Sequence, residues 1–345
     1  MEAVLFKNKQ NEYFSGMKKT FFISVTGVLI IILTFSCEKA TRNALIEKGT
    51  FPDSLIILSE INSIYDDYNS DIHQLSGSSP IVFSSNRGSE GGQFDLVHGV
   101  FAYSFVQENG DFFLLSEIAP DPFLAQLVSK VNTVSDDLGP YRLYSPVDGF
   151  EYLVVSSESE QGDLDFHYTK NLPYFGTAIP EIADKKALTL LNSTGNDAYF
   201  CFNTTQDTAY FCNDAGGSFD ICMYRKQTEQ TVDEWFSQEG AVSSGVESLN
   251  STADDKCPYI YRKIMVFASD REGGLGGFDL YYSEFKNGVW GSPVNFGPSV
   301  NTSFNEYRPI LGGDENFTNM FLLFSSDRPG GKGGFDLYFR GTDLF

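Results

Sequence analysis

The sequence has little of the chemistry that metal centres and histidine-dependent enzymes require. It contains only three histidines in 345 residues, His73, His98 and His167, and no two of them have the spacing of metal ligands. The five cysteines include no CxxC pair, and neither a Gly-x-Ser-x-Gly elbow nor a zinc-protease helix motif occurs. We therefore expect no cofactor, no metal site and no hydrolytic triad.

Basic side chains are also scarce, because 24 Lys and Arg stand against 46 Asp and Glu, for a formal net charge of −22 at pH 7. Nucleic-acid binding is not expected, since a phosphate backbone binds to clustered Lys and Arg. The chain is nevertheless 41% hydrophobic, with 32 Phe, 18 Tyr and 32 Gly. These numbers permit a large core and favour an all-β domain, because aromatic residues suit pleated sheets and glycines suit turns.

One apolar run, residues 21–35, follows Lys18 and Lys19 and has about the length of a signal-peptide core. It is short for a membrane span. The run ends at Ser36-Cys37, which resembles the lipoprotein signals of Bacteroidetes, in which the Cys becomes the lipidated first residue. We expect lipid attachment at Cys37, with a simply cleaved secretory peptide as the alternative.

The expected signal divides the N-terminal part of the chain into three segments. Since no targeting pattern precedes Met17, residues 1–16 are interpreted as a mis-assigned start and residues 17–36 as the signal peptide. Residues 37–50 then form a lipid-anchored tether, and the lipid is the only expected contact with the outer membrane. The residues after Cys37 lack the acidic cluster of surface-export signals in that phylum, which favours the periplasmic face over the cell surface.

Two sequence signatures recur through the rest of the chain, and each occurs five times, once in each of five repeat units. The first is a Phe-Ser-Ser-Asp-Arg run, a glycine-rich turn and then Phe-Asp-Leu, most complete at residues 324–337 and without the arginine in the second and third units. Its aspartates are Asp95, Asp165, Asp220, Asp279 and Asp336, at separations of 70, 55, 59 and 57 residues. The second is an Asn followed five residues later by an acid, at Asn62, Asn132, Asn192, Asn250 and Asn301. A period near 57 indicates an array of supersecondary units.

Each unit is predicted to form short strands separated by turns, which is typical of a propeller blade. The last unit ends after a third strand, and a spare apolar strand at residues 54–58 precedes the first unit. We therefore predict a single β-propeller domain over residues 51–345 with five four-stranded blades, closed by the N-terminal strand that completes the last blade. Six blades are the alternative, with one hidden between Asp95 and Asp165.

The run at residues 324–338 and the linking segment at residues 290–298 resemble the WD40-like, or TolB-like, β-propeller repeat family. The resemblance implies that a partner docks on a propeller face. Our first expectation is a non-enzymatic outer-membrane lipoprotein that serves as a binding platform for an envelope protein or a glycan. The alternatives are a carbohydrate-active enzyme with carboxylates at the propeller axis and an accessory subunit of an outer-membrane secretion or uptake complex. Enzymatic activity and oligomeric state stay undecided at this point.

The repeated Asp and Asn are expected to be structural, because a feature present in every blade is normally what builds blades. We expect the Asp to accept hydrogen bonds from turn amides or from the repeat Arg. Candidate binding residues are instead those that depart from the repeat, namely Glu158, Glu160 and Asp163 in the second unit.

Four cysteines remain beside Cys37: Cys201, Cys212, Cys222 and Cys257. A disulfide between Cys201 and Cys212, or between Cys212 and Cys222, is predicted to stabilise the third unit. The sequence does not choose between the pairings.

Overall fold

The structure is a computed structural model that describes residues 45–72, 78–176, 178–226, 230–239 and 243–344. The predictions for Cys37, the signal peptide and residues 37–44 of the tether lie outside the described residues. Among the helices in the described ranges, none is long and apolar enough to cross a membrane.

Five antiparallel sheets follow one another, and within each sheet neighbouring strands pair. The first contains β2 (Asp67–Ile72), β3 (Ser78–Ser85), β4 (Asp95–Phe105) and β5 (Phe112–Glu117), and the second contains β6 (Asp137–Tyr144), β7 (Glu151–Glu158), β8 (Leu164–Lys170) and β9 (Lys186–Ala187). The third contains β10 (Asp197–Phe202), β11 (Thr208–Asn213), β12 (Asp220–Arg225) and β13 (Ser244–Gly245). The fourth contains β14 (Asp255–Tyr261), β15 (Ile264–Ser269), β16 (Asp279–Lys286) and a divided outer edge of β17 (Val289–Trp290) and β18 (Val294–Asn295). The fifth contains β19 (Glu306–Gly313), β20 (Met320–Ser326), β21 (Asp336–Thr342) and β1 (Ile56–Ile57).

The first strands of the five blades surround one axis. Strand β2 contacts β6, β6 contacts β10, β10 contacts β14, β14 contacts β19, and β19 returns to β2. This ring confirms the predicted five-bladed propeller and excludes the six-bladed alternative. The long interval between the first and second blades holds α1 (Pro122–Ser129), whose Leu124 and Leu127 are buried in an apolar cluster with residues of both blades. The second helix, α2 (Val232–Phe236), packs Trp235 into an apolar cluster that the second and third blades share.

The propeller closes as the sequence predicts. Strand β1 pairs antiparallel with β21, with Ile56 opposite Phe339 and Ile57 opposite Tyr338. The backbone N of Leu58 adds a 3.0 Å hydrogen bond to the carbonyl O of Leu337. The N-terminal strand therefore completes the last blade and covers the sheet edge of β21.

The repeat asparagines bind each blade to the preceding one. The side-chain O of Asn301 accepts a 2.8 Å hydrogen bond from the N of Leu280, and its amide N donates 3.0 Å to the O of the same residue. The same two bonds join Asn62 to Leu337, Asn132 to Leu96, Asn192 to Phe166, and Asn250 to Ile221. Each partner directly follows a repeat aspartate, so the two signatures run in step because they meet in space.

The repeat arginine bonds the acid that follows the Asn, not the aspartate of Phe-Asp-Leu. Arg87 contacts Asp67 at 2.5 Å, Arg328 contacts Glu306 at 2.9 Å, and Arg271 pairs with Asp255. Two aspartates of Phe-Asp-Leu instead accept hydrogen bonds from backbone amides of the turns that precede them in the chain. Asp279 accepts a 2.6 Å bond from the N of Leu275, and Asp336 accepts a 2.7 Å bond from the N of Lys332.

The third blade lacks this arginine, and the negative charge of its acid, Asp197, is therefore poorly stabilised. The position of the arginine is occupied by Ala215, and Oδ1 of the fully buried Asp197 has no hydrogen-bond partner. Burial raises the pKa of Asp197 to about 7. Since this folded-state pKa lies above the unfolded value, the stability that Asp197 contributes is lost as the pH rises through about 7.

Ala215→Arg is therefore expected to stabilise the protein at pH 8 by about 1–2 kcal/mol, through a charge-assisted bond of the kind seen at Asp67. The gain should shrink at pH 5, where Asp197 is protonated. Urea denaturation at both pH values checks this, with Ala215→Gln as the uncharged control. An equal gain from Gln, or a gain that persists when Asp197→Asn is added, contradicts the explanation.

The predicted disulfides are not formed, because all four cysteines in the described part of the chain are free and buried. Strand register gives the reason. Cys212 lies opposite Ala198 and Ile221, whereas Cys201 lies opposite Tyr210 and Cys222 opposite Phe211. Neither predicted pair is directly opposite, and a disulfide needs Cβ atoms about 3.8 Å apart.

Candidate functional site

The first strand of each blade is its inner strand, next to the propeller axis. We call the end of the axis where the inner strands begin the first pole, and the end where they finish the second pole. A polar pocket opens on the axis at the second pole. The cavity measures about 260 Å³. It is lined by residues 71–72, 141–144, 202–204 and 259–262, together with Gln206. Four of the five blades therefore contribute to it, and we call it the axial pocket.

A bulge in every inner strand shapes the axis below this pocket. Each inner strand begins with an acid, and the second residue after that acid has a positive φ. At the same point the pairing register between the inner strand and the second strand of the blade shifts. The residues at the bulge are Asn69, Gly139, Tyr199, Cys257 and Arg308. Three of them, Tyr199, Cys257 and Arg308, are of types that rarely adopt this conformation. Because all five blades share the bulge, it belongs to the way the inner strands pack around the axis.

Arg308 places a positive charge inside the axis. Its side chain is fully buried, its Nη2 donates a 3.0 Å hydrogen bond to the O of Pro140, and its guanidinium lies 5.6 Å from the ring centre of Tyr199. Its Nε and Nη1 have no hydrogen-bond partner in the described structure, and neither do the side-chain N and O of buried Asn69. The interior beneath the pocket is thus polar and favours a negative charge nearby.

Asp71 is the carboxyl group of the axial pocket. It is 1% exposed, and its Oδ2 accepts a 3.0 Å hydrogen bond from the N of Arg142. Burial raises the pKa of Asp71 to about 6, although this bond and the charges of Arg308 and Arg142 oppose the rise. The charge of Glu151 adds to the rise. Asp71 can therefore carry a proton in mildly acidic solution, as a general acid must.

A second carboxyl group, Glu151, does not itself line the pocket and is connected to Asp71 through Arg142. Nε of Arg142 donates a 3.0 Å hydrogen bond to Oε1 of Glu151, and Nη2 of the same arginine also contacts that oxygen. The side chain of Arg142 is 4% exposed, whereas that of Glu151 is 23% exposed. One carboxyl is thus buried and ready to hold a proton, while the other is ion-paired and reachable by water, a division found in acid–base pairs.

The walls of the pocket combine aromatic rings with hydrogen-bonding groups. Tyr144 is half exposed, and its O accepts a 2.9 Å bond from Nε2 of Gln206. Tyr141, Tyr259 and Tyr261 also line the cavity. Such a lining suits a ligand with both apolar faces and hydroxyl groups.

The residues singled out from the sequence lie elsewhere. Glu158 ends β7, and Glu160 and Asp163 lie in the turn between β7 and β8 at the first pole, where the Oγ of Ser159 donates a hydrogen bond to Asp163. None of the three lines the axial pocket. The repeat aspartates at the starts of the third strands lie at that first pole as well, and burial raises the pKa values of Asp95, Asp165 and Asp220.

Sequence reasoning missed Asp71, although a signal exists. In every unit the residue nine positions after the repeat Asn occupies the same place on the inner strand. That column reads Asp71, Tyr141, Cys201, Tyr259 and Ile310. Asp71 is its only acid, and a departure of this kind inside an apolar column points to a function rather than to blade construction.

No metal centre accompanies these groups in the described ranges, which contain no group of three or more His, Cys, Asp or Glu placed to hold an ion. His98 accepts a 3.4 Å hydrogen bond at Nε2 from the N of Asp121. Burial lowers the pKa values of His98 and His167. The two histidines therefore behave as neutral strand residues at pH 7.

Comparison with solved structures supports the architecture. The fold is similar to the α-L-arabinofuranosidase PaAbf62A from Podospora anserina, solved in complex with cellotriose, with a TM-score of 0.52 and 12% identity over 87% of this chain and 98% of that one. It is also similar to a variant of the GH43 protein BlXynB from Bacillus licheniformis, with a TM-score of 0.50 and 10% identity over 85% of this chain and 55% of that one. No family model and no curated protein matches the sequence.

These comparisons overturn the expectation of a TolB-like docking platform. The propellers that this fold matches are an arabinofuranosidase and a GH43 protein rather than WD40-like or TolB-like repeats. At 10–12% identity the likeness establishes the fold alone. Of what the repeat resemblance implied, only the β-propeller fold is confirmed. Since a fold does not determine a function, the residues of the axial pocket are the evidence for function.

Proposed function

We propose that the protein is a carbohydrate-active enzyme that hydrolyses glycosidic bonds in the axial pocket. The observation that carries the proposal is Asp71, a buried carboxyl with a pKa raised to about 6 that lies in an aromatic, hydrogen-bonding cavity on the axis. Hydrolysis of a glycoside requires such a proton donor together with a second carboxylate. The similarity of the fold to an α-L-arabinofuranosidase supports the same chemistry.

In the proposed reaction, Asp71 gives its proton to the glycosidic oxygen as the bond from that oxygen to the anomeric carbon breaks. Glu151 accepts a proton from a water molecule, whose oxygen forms the new bond to the anomeric carbon. Arg142 forms an ion pair with Glu151, and its backbone N donates a hydrogen bond to the carboxyl group of Asp71, so one residue positions both acids. The balance is one water consumed and one new reducing end released; Glu151 then gives its proton to solvent, and Asp71 takes one up from solvent.

The proposal predicts activity that falls as Asp71 loses its proton. Release of reducing sugar from a panel of arabinan, xylan, galactan and polygalacturonate should be fastest at about pH 5 and should decline about tenfold per unit well above pH 6. The matched control is Glu158→Gln, which removes an exposed acid at the opposite pole and should leave the profile unchanged. Activity that rises steadily to pH 8, or no release from any polysaccharide, contradicts the assignment.

A further inference from the structure

A second cavity adjoins the axial pocket at the same pole. It measures about 520 Å³ and lies between the third and fourth blades. Asn203, Thr204, Ile260 and Arg262 line both cavities, so the two form one groove that runs from the axis outward. At the boundary, Oγ1 of Thr204 donates a 3.2 Å hydrogen bond to the O of Arg262.

The outer half of the groove has a rigid aromatic wall. The ring centres of Trp290 and Tyr210 lie 5.9 Å apart, and Nε1 of Trp290 donates a 3.2 Å hydrogen bond to the hydroxyl of Tyr210. Phe285 packs on the other side of Trp290, with ring centres 5.0 Å apart. Trp290 and Tyr210 are themselves buried, so packing fixes this wall before a ligand binds.

The charge of this half is opposite to that of the whole protein. Arg225, Arg262 and Lys263 are exposed along the groove, and none of them forms an ion pair within the described ranges. Among the described residues, a single acid lines this half: Asp207, which accepts bonds from the side chains of Asn203, Thr205 and Thr208 at 2.7–2.9 Å. The bond from Thr208 and the charge of Arg225 help to lower its pKa. In a chain of formal charge −22, three cations against one acid leave this half of the groove with a local positive field that suits an anionic ligand.

Resting on the proposed hydrolysis, we propose that the natural glycan is anionic, with carboxylate or sulfate groups on its sugar rings. The bond to be cleaved lies at Asp71, and the chain extends outward along the Trp290 wall. Arg225 and Arg262 pair with the acid groups through their planar guanidinium forks, and Lys263 adds a point charge. Neutral glycans lack the groups that these three cations recognise.

Binding is measured by calorimetry on Asp71→Asn protein, so that no ligand is consumed. The probes are an oligogalacturonide, a sulfated dextran oligosaccharide and a neutral arabino-oligosaccharide of equal length. At least one anionic probe should bind about tenfold or more tightly than the neutral one, and its affinity should fall with added salt. Binding of the oligogalacturonide alone identifies carboxylates, and binding of the sulfated probe alone identifies sulfate esters.

The triple variant Arg225→Gln, Arg262→Gln, Lys263→Gln should lose this preference. The control Lys130→Gln, Lys286→Gln removes two cations outside the groove and should keep it. Equal binding of neutral and anionic probes, or a preference that survives the triple substitution, overturns the inference. Anionic binding without cleavage of any glycan by the unsubstituted protein leaves the inference standing and refutes the hydrolysis. Cleavage of a neutral glycan, with no preference for the anionic probes, refutes the inference and leaves the hydrolysis standing.

Discussion

Replacing Asp71 with Asn is expected to abolish hydrolysis and to make the folded protein more stable at neutral pH. Asn has the shape of Asp and keeps an oxygen for the N of Arg142, but it cannot donate the proton, so the rate should fall about 100-fold or more. The stability gain follows from the raised pKa. Asp71 holds its proton to about pH 6 when folded, against 3.8 as the ordinary value.

The sign of this effect depends on pH. Because the folded-state pKa is the higher one, the stability that protonated Asp71 contributes is complete below about pH 4 and is lost as the pH rises through 6. Asn does not titrate, so the variant escapes this loss. A shift of roughly two pKa units corresponds to about 3 kcal/mol at pH 8.

Urea denaturation at pH 4 and pH 8 measures this gain, which should appear at pH 8 and vanish at pH 4. Glu151→Gln serves as the companion variant, since it should also lose activity but removes an ion-paired acid and so should not stabilise the fold. A less stable Asp71→Asn protein at pH 8 means that the ionised carboxylate is a favourable partner of Arg308. The proton-donor role would then have no physical basis.

Phe51→Ala is expected to cost about 3–5 kcal/mol of folding stability, the range for removing a buried Phe. Phe51 is fully buried at the junction of the first and last blades. Its ring stacks on Phe317 at 3.9 Å and meets the edge of Tyr103 at 5.0 Å and of Phe321 at 5.3 Å. Its N and O bond the side-chain amide of Asn319 at 2.9 Å each.

The loss should be large because Phe51 holds the strand that closes the propeller. Equilibrium urea denaturation gives the free energy of unfolding for comparison with Leu55→Ala, a nearby substitution at a 38% exposed position that should cost less than about 1 kcal/mol. Similar costs for the two variants show that closure does not depend on this aromatic cluster.

The blade count and the closure were predictable because they rest on local, repeated patterns. The apolar residues 54–58 stand ahead of Asn62, and the last unit lacks a fourth strand; these two facts predict β1 and its pairing with β21. The regular recurrence of the repeat Asn and Asp was also visible in the sequence, because the two motifs meet where consecutive blades contact each other. The bulges were not predictable, because Tyr199 and Arg308 disfavour a positive φ and adopt it only in the assembled ring.

The candidate site escaped prediction for a related reason. Asp71, Arg142 and Arg308 come from three blades that are far apart in sequence, and no motif joins them. The repeated motifs direct attention to the first pole, where Glu158 and Asp163 lie, whereas the pocket opens at the second. Only the fold shows that a single acid in an otherwise uncharged column faces an axial cavity.

We propose that this propeller cleaves glycosidic bonds with Asp71 as the proton donor. The most direct measurement incubates the purified protein with the polysaccharide panel in water enriched in ¹⁸O and analyses the products by mass spectrometry. We predict shorter oligosaccharides whose new reducing ends carry one ¹⁸O, formed by the unsubstituted protein and not by Asp71→Asn. The absence of labelled products from every glycan, or equal labelling by Asp71→Asn, contradicts the claim.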